Sequence, residues 1–314
     1  MAKASLPVAW AAALLIGAAA CSPGAADDGR LPVVAAFYPL QFVAEQVGGE
    51  HTTVTSLTAP GVDAHDVELR PSQVVEVSQA ELVLYLSGFQ PAVDAAVAEH
   101  AGEAGFDVGT VPGLLNDAAP APDSDHHDHD HDHGHDHGHQ SMGPDPHVWL
   151  DPLRFADLAD AVADRLATLD PTHAADYRAG AARLRDELTA LDQEFTEGLT
   201  DCQRREIVVS HAAFGYLAHR YDLRQVAVTG LSPEVEPTPG QLAEVITQAK
   251  AHGATTIFFE RLASPAVADV IAAEVGAESA VLDPIEGLAP DSDDDYFALM
   301  RANLAALRSA LECS

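Results

Sequence analysis

The sequence is poor in positive charge. Its 314 residues include 16 lysines and arginines against 49 aspartates and glutamates, which gives a formal net charge of −33. Nucleic-acid binders draw most of their affinity from cations that neutralise phosphates, so this composition excludes a nucleic-acid partner. An anionic membrane surface would repel the folded chain for the same reason. Any membrane attachment must therefore be covalent or hydrophobic.

The sequence also has too little continuous hydrophobicity at its start to span a bilayer there. The apolar run at residues 8–20 is shorter than the roughly 20 residues that a spanning helix needs. Because it follows Lys3 and precedes Cys21, residues 1–21 are predicted to be a signal peptide. The sequence AAAC that ends at Cys21 resembles a bacterial lipobox, in which the cysteine is lipidated; ordinary cleavage that leaves a free thiol is the alternative. We expect an exported protein, lipid-anchored on the outer face of the bacterial cytoplasmic membrane.

Cysteine is scarce, with three in the chain. Beyond Cys21, only Cys202 and Cys313 remain, and neither has the C-x-x-C spacing of a redox site or a zinc knuckle. In an oxidising exported compartment, an even pair suggests one disulfide. The alternative is two free, buried thiols.

What the sequence does have is enough apolar material for globular cores, at 47% hydrophobic residues. After a polar tether at residues 22–30, short aliphatic runs alternate with helical patterns in residues 31–152 and again in residues 201–314. This alternation is typical of parallel α/β folds, so each region is predicted to be an α/β lobe. The strands are predicted at residues 31–37, 53–57, 81–86, 206–210, 225–228, 255–259 and 280–282.

The lobes are predicted to be joined by helices at residues 153–200. In residues 172–199, apolar side chains recur at helical spacing and form one stripe. A helix of this length spans roughly 40 Å at 1.5 Å per residue, enough to bridge two lobes as a rigid connector. The stripe consists of Tyr177, Leu184, Leu188, Leu191, Phe195 and Leu199.

A segment of different composition interrupts the first lobe at residues 118–146. It consists mainly of Ala, Pro, Gly, Asp and His and cannot bury a core, so we expect a mobile loop. Its alternating imidazoles can chelate Zn²⁺, Ni²⁺ or Cu²⁺, because these ions favour nitrogen ligands. We interpret it as an accessory metal-binding loop; a solvated acidic linker is the alternative. Its histidines are His126, His127, His129, His131, His133, His135, His137 and His139.

Four other residues are candidate ligands because each follows a predicted strand or a strand-to-helix connection. They are His65, His147, His211 and Asp283. Open α/β sheets place their ligands at the carboxyl ends of strands, so these side chains are expected to meet in the cleft between the lobes. Three imidazoles and one carboxylate form a tetrahedral set suited to zinc, whereas Mg²⁺ and Ca²⁺ need more oxygen ligands.

The segments around these residues resemble those of a known family. GVDAHDVELRPSQ, PDPHVWLDP, VVSHAAFGYLAHRY, GLSPEVEPTPGQL and VLDPIEGL are similar to segments of zinc-binding lipoproteins that serve as substrate-binding proteins of zinc-uptake ABC transporters. The resemblance implies two α/β lobes joined by one long helix and an ABC transporter permease as partner. It also implies zinc held at His65, His147 and His211 with the Asp283 carboxylate nearby. Manganese-specific relatives typically carry Glu where His211 stands.

The remaining carboxylates and histidines receive supporting roles. Glu234, Glu236 and Glu260 are interpreted as residues that order ligands or loops, and Asp63 is a candidate for an additional ligand. The other histidines, interpreted as structural or solvated, are His51, His100, His173, His219 and His252.

The leading hypothesis is a monomeric receptor that captures Zn²⁺ and delivers it to a permease. A manganese or iron receptor of the same class is one alternative. A zinc buffer or adhesin that acts through the histidine-rich loop is another. A zinc hydrolase would need an open coordination position, and the sequence has no H-E-x-x-H or G-x-S-x-G motif, so we do not expect an enzyme.

Overall fold

The computed structural model describes residues 1, 29–115, 144–233 and 236–314. Residues 2–21 of the predicted signal peptide, which include Cys21, and the eight-histidine segment lie outside these described residues. Within them, the chain forms two four-stranded parallel sheets, each in its own α/β lobe. The predicted fold class is therefore confirmed.

The N-terminal lobe contains the sheet β2-β1-β3-β4, with all neighbouring strands parallel. The central strands are almost wholly apolar, as expected for strands covered on both faces. The short strand β4 has no counterpart in the predicted strands, because its three residues carry no aliphatic run. The elements are β1 (Leu31–Ala35), α1 (Tyr38–Gly48), β2 (Thr52–Ser56), α2 (Pro71–Gln79), β3 (Leu82–Tyr85), α3 (Pro91–Ala96) and β4 (Gly105–Asp107).

Two helices connect the lobes. α4 (Pro152–Leu169) begins at Asp151, whose side chain accepts hydrogen bonds from the first-turn N–H groups, and the turn at Asp170 and Pro171 separates it from α5 (Ala174–Gly198). The 25 residues of α5 span about 37 Å. Gly180 of α5 packs on the backbone of α1, and Glu194 near its other end pairs with Arg301 of the C-terminal lobe. α5 therefore bridges the lobes.

The C-terminal lobe contains the parallel sheet β6-β5-β7-β8. Cys202, before β5, and Cys313, after α9, form the disulfide that was expected from the sequence. The elements are β5 (Glu206–Val209), α6 (Gly215–Arg220), β6 (Arg224–Ala227), α7 (Pro239–Ala251), β7 (Thr256–Phe259), α8 (Ala266–Val275), β8 (Glu278–Val281) and α9 (Tyr296–Leu311).

One hydrophobic core runs through both lobes. It extends from β1 through α4 and α5 to α9, and the fully buried Trp149 lies within it. The indole N–H of Trp149 donates to the carbonyl of Pro284 at 2.7 Å, and the Tyr296 hydroxyl donates to the Trp149 carbonyl at 2.6 Å. These buried bonds fix the lobes to each other behind the cleft. A smaller separate core lies between α7, α8 and the strands of the C-terminal lobe.

None of the helices in the part of the chain that the structure describes is long and apolar enough to cross a membrane.

Candidate metal centre

Four side chains from different parts of the chain meet between the lobes. They are His65, His147, His211 and Glu286, and their ligand atoms all lie within 4.8 Å of one another. Oε1 of Glu286 lies 3.2, 3.0 and 3.3 Å from the Nε2 atoms of His65, His147 and His211, respectively. Ligands around a tetrahedral zinc ion with bonds near 2.05 Å lie about 3.3 Å apart, so the three distances from Glu286 fit such an ion.

His147 is fixed from behind by an acidic residue. Its Nδ1 lies 2.8 Å from Oδ1 of Asp145, and the same oxygen accepts the backbone N–H of His147. Because an ionised carboxylate only accepts hydrogen bonds, Nδ1 carries the proton and Nε2 faces the centre. The side chain is fully buried and lies just before the turn that leads into α4. The ligand atom is therefore presented on a rigid segment.

His211 is held in the same manner at the end of β5. Its Nδ1 lies 2.7 Å from Oε1 of Glu260, which also accepts a hydrogen bond from the Ser210 hydroxyl. Glu260 follows β7, the strand next to β5, so the sheet itself sets this pairing. The sequence predicts such an ordering role for Glu260. A hydrogen bond that a ligand imidazole donates to a carboxylate orients the ring and raises its basicity.

His65 lies on the irregular connection between β2 and α2. The Asp63 carboxylate accepts the backbone N–H of His65 at 2.8 Å, so Asp63 orders this loop and lies outside the ligand cluster. The ring contacts Phe89 edge to face, with centroids 4.6 Å apart. The buried Gln90 amide donates to the carbonyl of Ala64 at 2.9 Å and anchors the backbone next to the ligand. The side chain of His65 is 8% exposed, so this histidine lies nearest the surface of the three.

The carboxylate in the cluster is Glu286, whereas the sequence reasoning expected Asp283. The Asp283 side chain instead stabilises the turn that precedes Glu286. Its Oδ2 accepts a hydrogen bond from Nε of Arg261 at 2.9 Å, and its Oδ1 accepts one from the backbone N–H of Ile285 at 2.8 Å. The Asn303 amide bonds both backbone groups of Asp283. Ile285 adopts φ of 58°, which is rare for a β-branched residue. This turn carries the chain from the end of β8 into the cleft and points Glu286 at the histidines.

The sequence offered a weak signal for Glu286. Both acidic residues lie in VLDPIEGL, and Asp283 is the one that lies nearer the predicted strand end. The turn before Glu286 includes a positive φ at Ile285, and the residue types of this segment do not predict it. Asp145 was also missed, although its position two residues before His147 suits a side chain that accepts a hydrogen bond from that histidine.

The charges in the centre balance one another. Burial lowers the pKa of His211, but its contacts with Glu260 and Glu286 outweigh burial and raise that pKa to about 10. Burial also opposes charge on His147, and its bonds to Asp145 and Glu286 raise its pKa nonetheless. Burial acts to raise the pKa of Glu286, but the three imidazoles hold it well below its usual range. The carboxylates around the centre therefore favour positive charge on the rings of His147 and His211.

The other predicted residues lie away from this cluster. His51 and His173 stack on each other with ring centroids 3.9 Å apart, each beside an aspartate, and link the turn after α1 to the start of α5. His252 pairs with Glu206, and Glu236 is exposed. Glu234 and the eight histidines of the accessory loop lie outside the described residues.

The chain is similar to known proteins over most of its length. Residues 33–310 match the protein family described as ZnuA, zinc-uptake complex component A, periplasmic. The chain is 32% identical to the zinc-binding lipoprotein AdcA of Streptococcus pneumoniae over 99% of its own length and 62% of that protein. It is 33% identical to the high-affinity zinc uptake system protein ZnuA of Bacillus subtilis, covering 96% of this chain and 95% of that protein. It thus spans under two thirds of AdcA.

Solved structures resemble the fold over most of the chain. The Zn(II)-bound ZnuA-like domain of AdcA from S. pneumoniae superposes with a TM-score of 0.73 at 29% identity, covering 90% of this chain and all of that domain. The metal-dependent lipoprotein YcdH from B. subtilis gives a TM-score of 0.72 at 30% identity, with 90% and 100% coverage.

Proposed function

Because this chain belongs to the family of the periplasmic component A of zinc-uptake complexes, we propose that it captures Zn²⁺ outside the cytoplasmic membrane and delivers it to the permease of an ABC transporter. The metal ion is cargo, bound by His65, His147, His211 and Glu286. The observation that carries the proposal is the set of three imidazoles and one carboxylate, three of them buried, that meet between the two lobes.

The composition of the set supports zinc over manganese. Three nitrogen donors suit a borderline cation, whereas Mn²⁺ favours sites richer in oxygen. The two carboxylates behind the rings, Asp145 and Glu260, bond to imidazole Nδ1 atoms, so they leave the nitrogen set intact. The names of the relatives, which describe zinc-binding and zinc-uptake proteins, support the same metal.

The same set supports binding over catalysis. A catalytic zinc ion keeps one coordination position for water or substrate, and a zinc ion held by four protein ligands has none. Glu286 supplies the fourth ligand here. A hydrolase is therefore the weaker proposal.

We also propose that the chain is tethered through a lipid on Cys21 and acts as a monomer. The AAAC sequence and the lipoprotein name of the S. pneumoniae relative support the tether. The histidine-rich segment is proposed to concentrate zinc near the cleft, since its alternating imidazoles and carboxylates attract divalent cations.

The test is a calorimetric zinc titration of metal-stripped protein from which residues 1–21 and 121–140 are deleted, followed by a challenge with excess Mn²⁺. One tight site that Mn²⁺ fails to displace is expected. In the same background, His147→Ala removes a fully buried ligand and is expected to abolish tight binding. His100→Ala, which changes an exposed histidine outside the cluster, is the matched control.

Two outcomes would contradict the proposal. If the shortened protein has no tight zinc site, the accessory loop is the binding element. If His147→Ala binds zinc as tightly as His100→Ala does, the cluster is not the cargo site.

A further inference from the structure

A second carboxylate lies beside the metal centre without joining it. Asp283 and Glu286 both line a small cavity of about 60 Å³ at the edge of the cleft, together with Glu260 and Arg261. Burial raises the pKa of Asp283, and the nearby carboxylate of Glu286 raises it further. A third carboxylate, Asp63, lines the same cavity from the N-terminal lobe. The wall of this cavity therefore carries oxygen ligands that the metal-binding cluster does not use.

Both oxygens of Asp283 are already engaged. Oδ1 accepts the N–H of Ile285, and Oδ2 accepts Nε of Arg261 at 2.9 Å. The first bond is part of the turn that presents Glu286, whereas the second depends on one side chain. Arg261 directly follows Glu260, the residue that orients His211, so the strand end that positions an imidazole also carries this guanidinium.

We propose that Arg261 is a specificity-determining residue, whose ion pair with Asp283 withholds a second carboxylate from the metal centre and so keeps the centre selective for zinc over manganese. The inference rests on the proposed function. It assigns to Arg261 control over the number of oxygen ligands that the cleft can offer.

The reason lies in the coordination preferences of the two metals. Zinc is satisfied by four ligands in a tetrahedron, so a second carboxylate adds little to its affinity. Oxygen-rich sites with more ligands favour harder ions such as Mn²⁺. Because Asp283 is 5% exposed, its carboxylate is screened poorly by water and acts strongly on whatever lies beside it. While it is paired with Arg261, that charge is neutralised.

Loss of the Arg261 charge alone would change the zinc and manganese affinities in a different way from the release of Asp283. Removing a positive charge near the cleft strengthens the attraction for every divalent cation by the same Coulomb energy. It therefore raises zinc and manganese affinities together and leaves their ratio unchanged. Release of Asp283 raises manganese affinity selectively, so the ratio separates the two effects.

The experiment measures Zn²⁺ and Mn²⁺ dissociation constants by competition titration of the metal-stripped full chain. Arg261→Gln is expected to shift the zinc-to-manganese affinity ratio about tenfold towards manganese, the lower end of the effects seen for residues that orient metal ligands. The double variant Arg261→Gln/Asp283→Asn removes the released carboxylate and is expected to restore the ratio. Arg301→Gln breaks the exposed ion pair between Arg301 of α9 and Glu194 of α5, so it controls for the loss of one positive charge.

The inference is overturned if Arg261→Gln leaves the ratio at the wild-type value, or if the double variant keeps the shifted ratio. If Arg261→Gln does not fold, Arg261→Met and the double variant Arg261→Met/Asp283→Asn are measured in its place, with the same expected results. The wild-type titration in the same series tests the proposed function separately. A wild-type chain without a tight zinc site contradicts the function, whereas an unshifted ratio in a zinc-binding chain contradicts only the role of Arg261.

Discussion

At the scale of single residues, the metal centre depends on what lies behind each imidazole. Asp145 and Glu260 fix the Nδ1 protons of His147 and His211, so that both Nε2 atoms face the same point. These carboxylates are buried, and their contacts with the rings are short. Ligand orientation is therefore built into the protein before any metal ion arrives, which reduces the ordering cost of binding.

The clearest residue-scale prediction concerns Glu260. Glu260→Gln keeps the size of the side chain but removes its negative charge, and we expect zinc affinity to fall by about 10- to 100-fold. The measurement is a chelator competition titration. Glu274→Gln, which changes an exposed carboxylate on α8, is expected to leave the affinity unchanged. Equal affinities for the two variants would show that the ring contact does not support binding.

The raised pKa of His211 predicts a strong pH dependence. Because this pKa is about 10 in the metal-free centre, zinc must displace a proton throughout the physiological range. Affinity is expected to fall about tenfold per pH unit for each displaced proton between pH 8 and 6. A histidine of ordinary pKa, near 6.5, gives a flat dependence above about pH 7. Titration in buffers of different ionisation enthalpy measures the released protons, and no release at pH 8 would contradict the expectation.

The raised pKa of His211 also determines how the stability of the metal-free chain depends on pH. A raised pKa means that protonation of His211 stabilises the folded, metal-free chain. That contribution is complete below the unfolded pKa of about 6.5 and is lost as the pH rises through about 10. Metal-free protein is therefore stabilised by acid through this residue, whereas the zinc complex is weakened by acid.

At the scale of elements, hydrophobic patterning located most strands of both lobes. Aliphatic runs such as those of β3 and β5 are buried on both faces of a sheet, so residue type alone reveals them. Cap residues mark the ends of the connecting helices, since Asp151 precedes α4 and Asp170 lies between α4 and α5.

Elements defined by backbone geometry were harder to predict. β4 has three half-buried residues and is recognisable only through its pairing with β3. The turn at Ile285 decides which of two carboxylates joins the metal centre, and its φ of 58° depends on tertiary contacts from Asn303 and Trp149 to the residues before it. Local sequence carries no record of those contacts, so Asp283 was chosen in place of Glu286.

The connecting helix gives a prediction at this scale. A methyl group on Gly180 of α5 would lie 2.7 Å from the carbonyl oxygen of Val47 in α1, so Gly180→Ala forces the helices apart. We expect a loss of about 1–3 kcal/mol in the free energy of unfolding, as for other overpacked sites. Gly240 of α7 has open space around it, with the nearest neighbouring atom 3.9 Å away. Gly240→Ala is expected to be neutral or stabilising by up to about 1 kcal/mol.

Urea denaturation of the metal-free proteins measures both changes. Equal stability of the two variants would show that the contact between α5 and α1 is not tight, and that the bridge between the lobes is looser than the packing indicates.

At the scale of the whole molecule, the two lobes behave as one packed body. The main core is continuous from β1 to α9, and the buried bonds of Trp149 cross from one lobe to the other. The disulfide between Cys202 and Cys313 ties the start of β5 to the end of the chain. The cleft therefore positions ligands from both lobes with little freedom, and a net charge of −33 surrounds it with a field that attracts cations.

The most direct test of this account is anomalous diffraction at the zinc edge from crystals of the zinc-loaded protein. We predict one strong peak between the lobes, about 2.0–2.2 Å from the Nε2 atoms of His65, His147 and His211 and from a carboxylate oxygen of Glu286. Asp283 should remain paired with Arg261. A peak outside this cluster, or one bound by Asp283 in place of Glu286, would contradict the assignment of the cargo site.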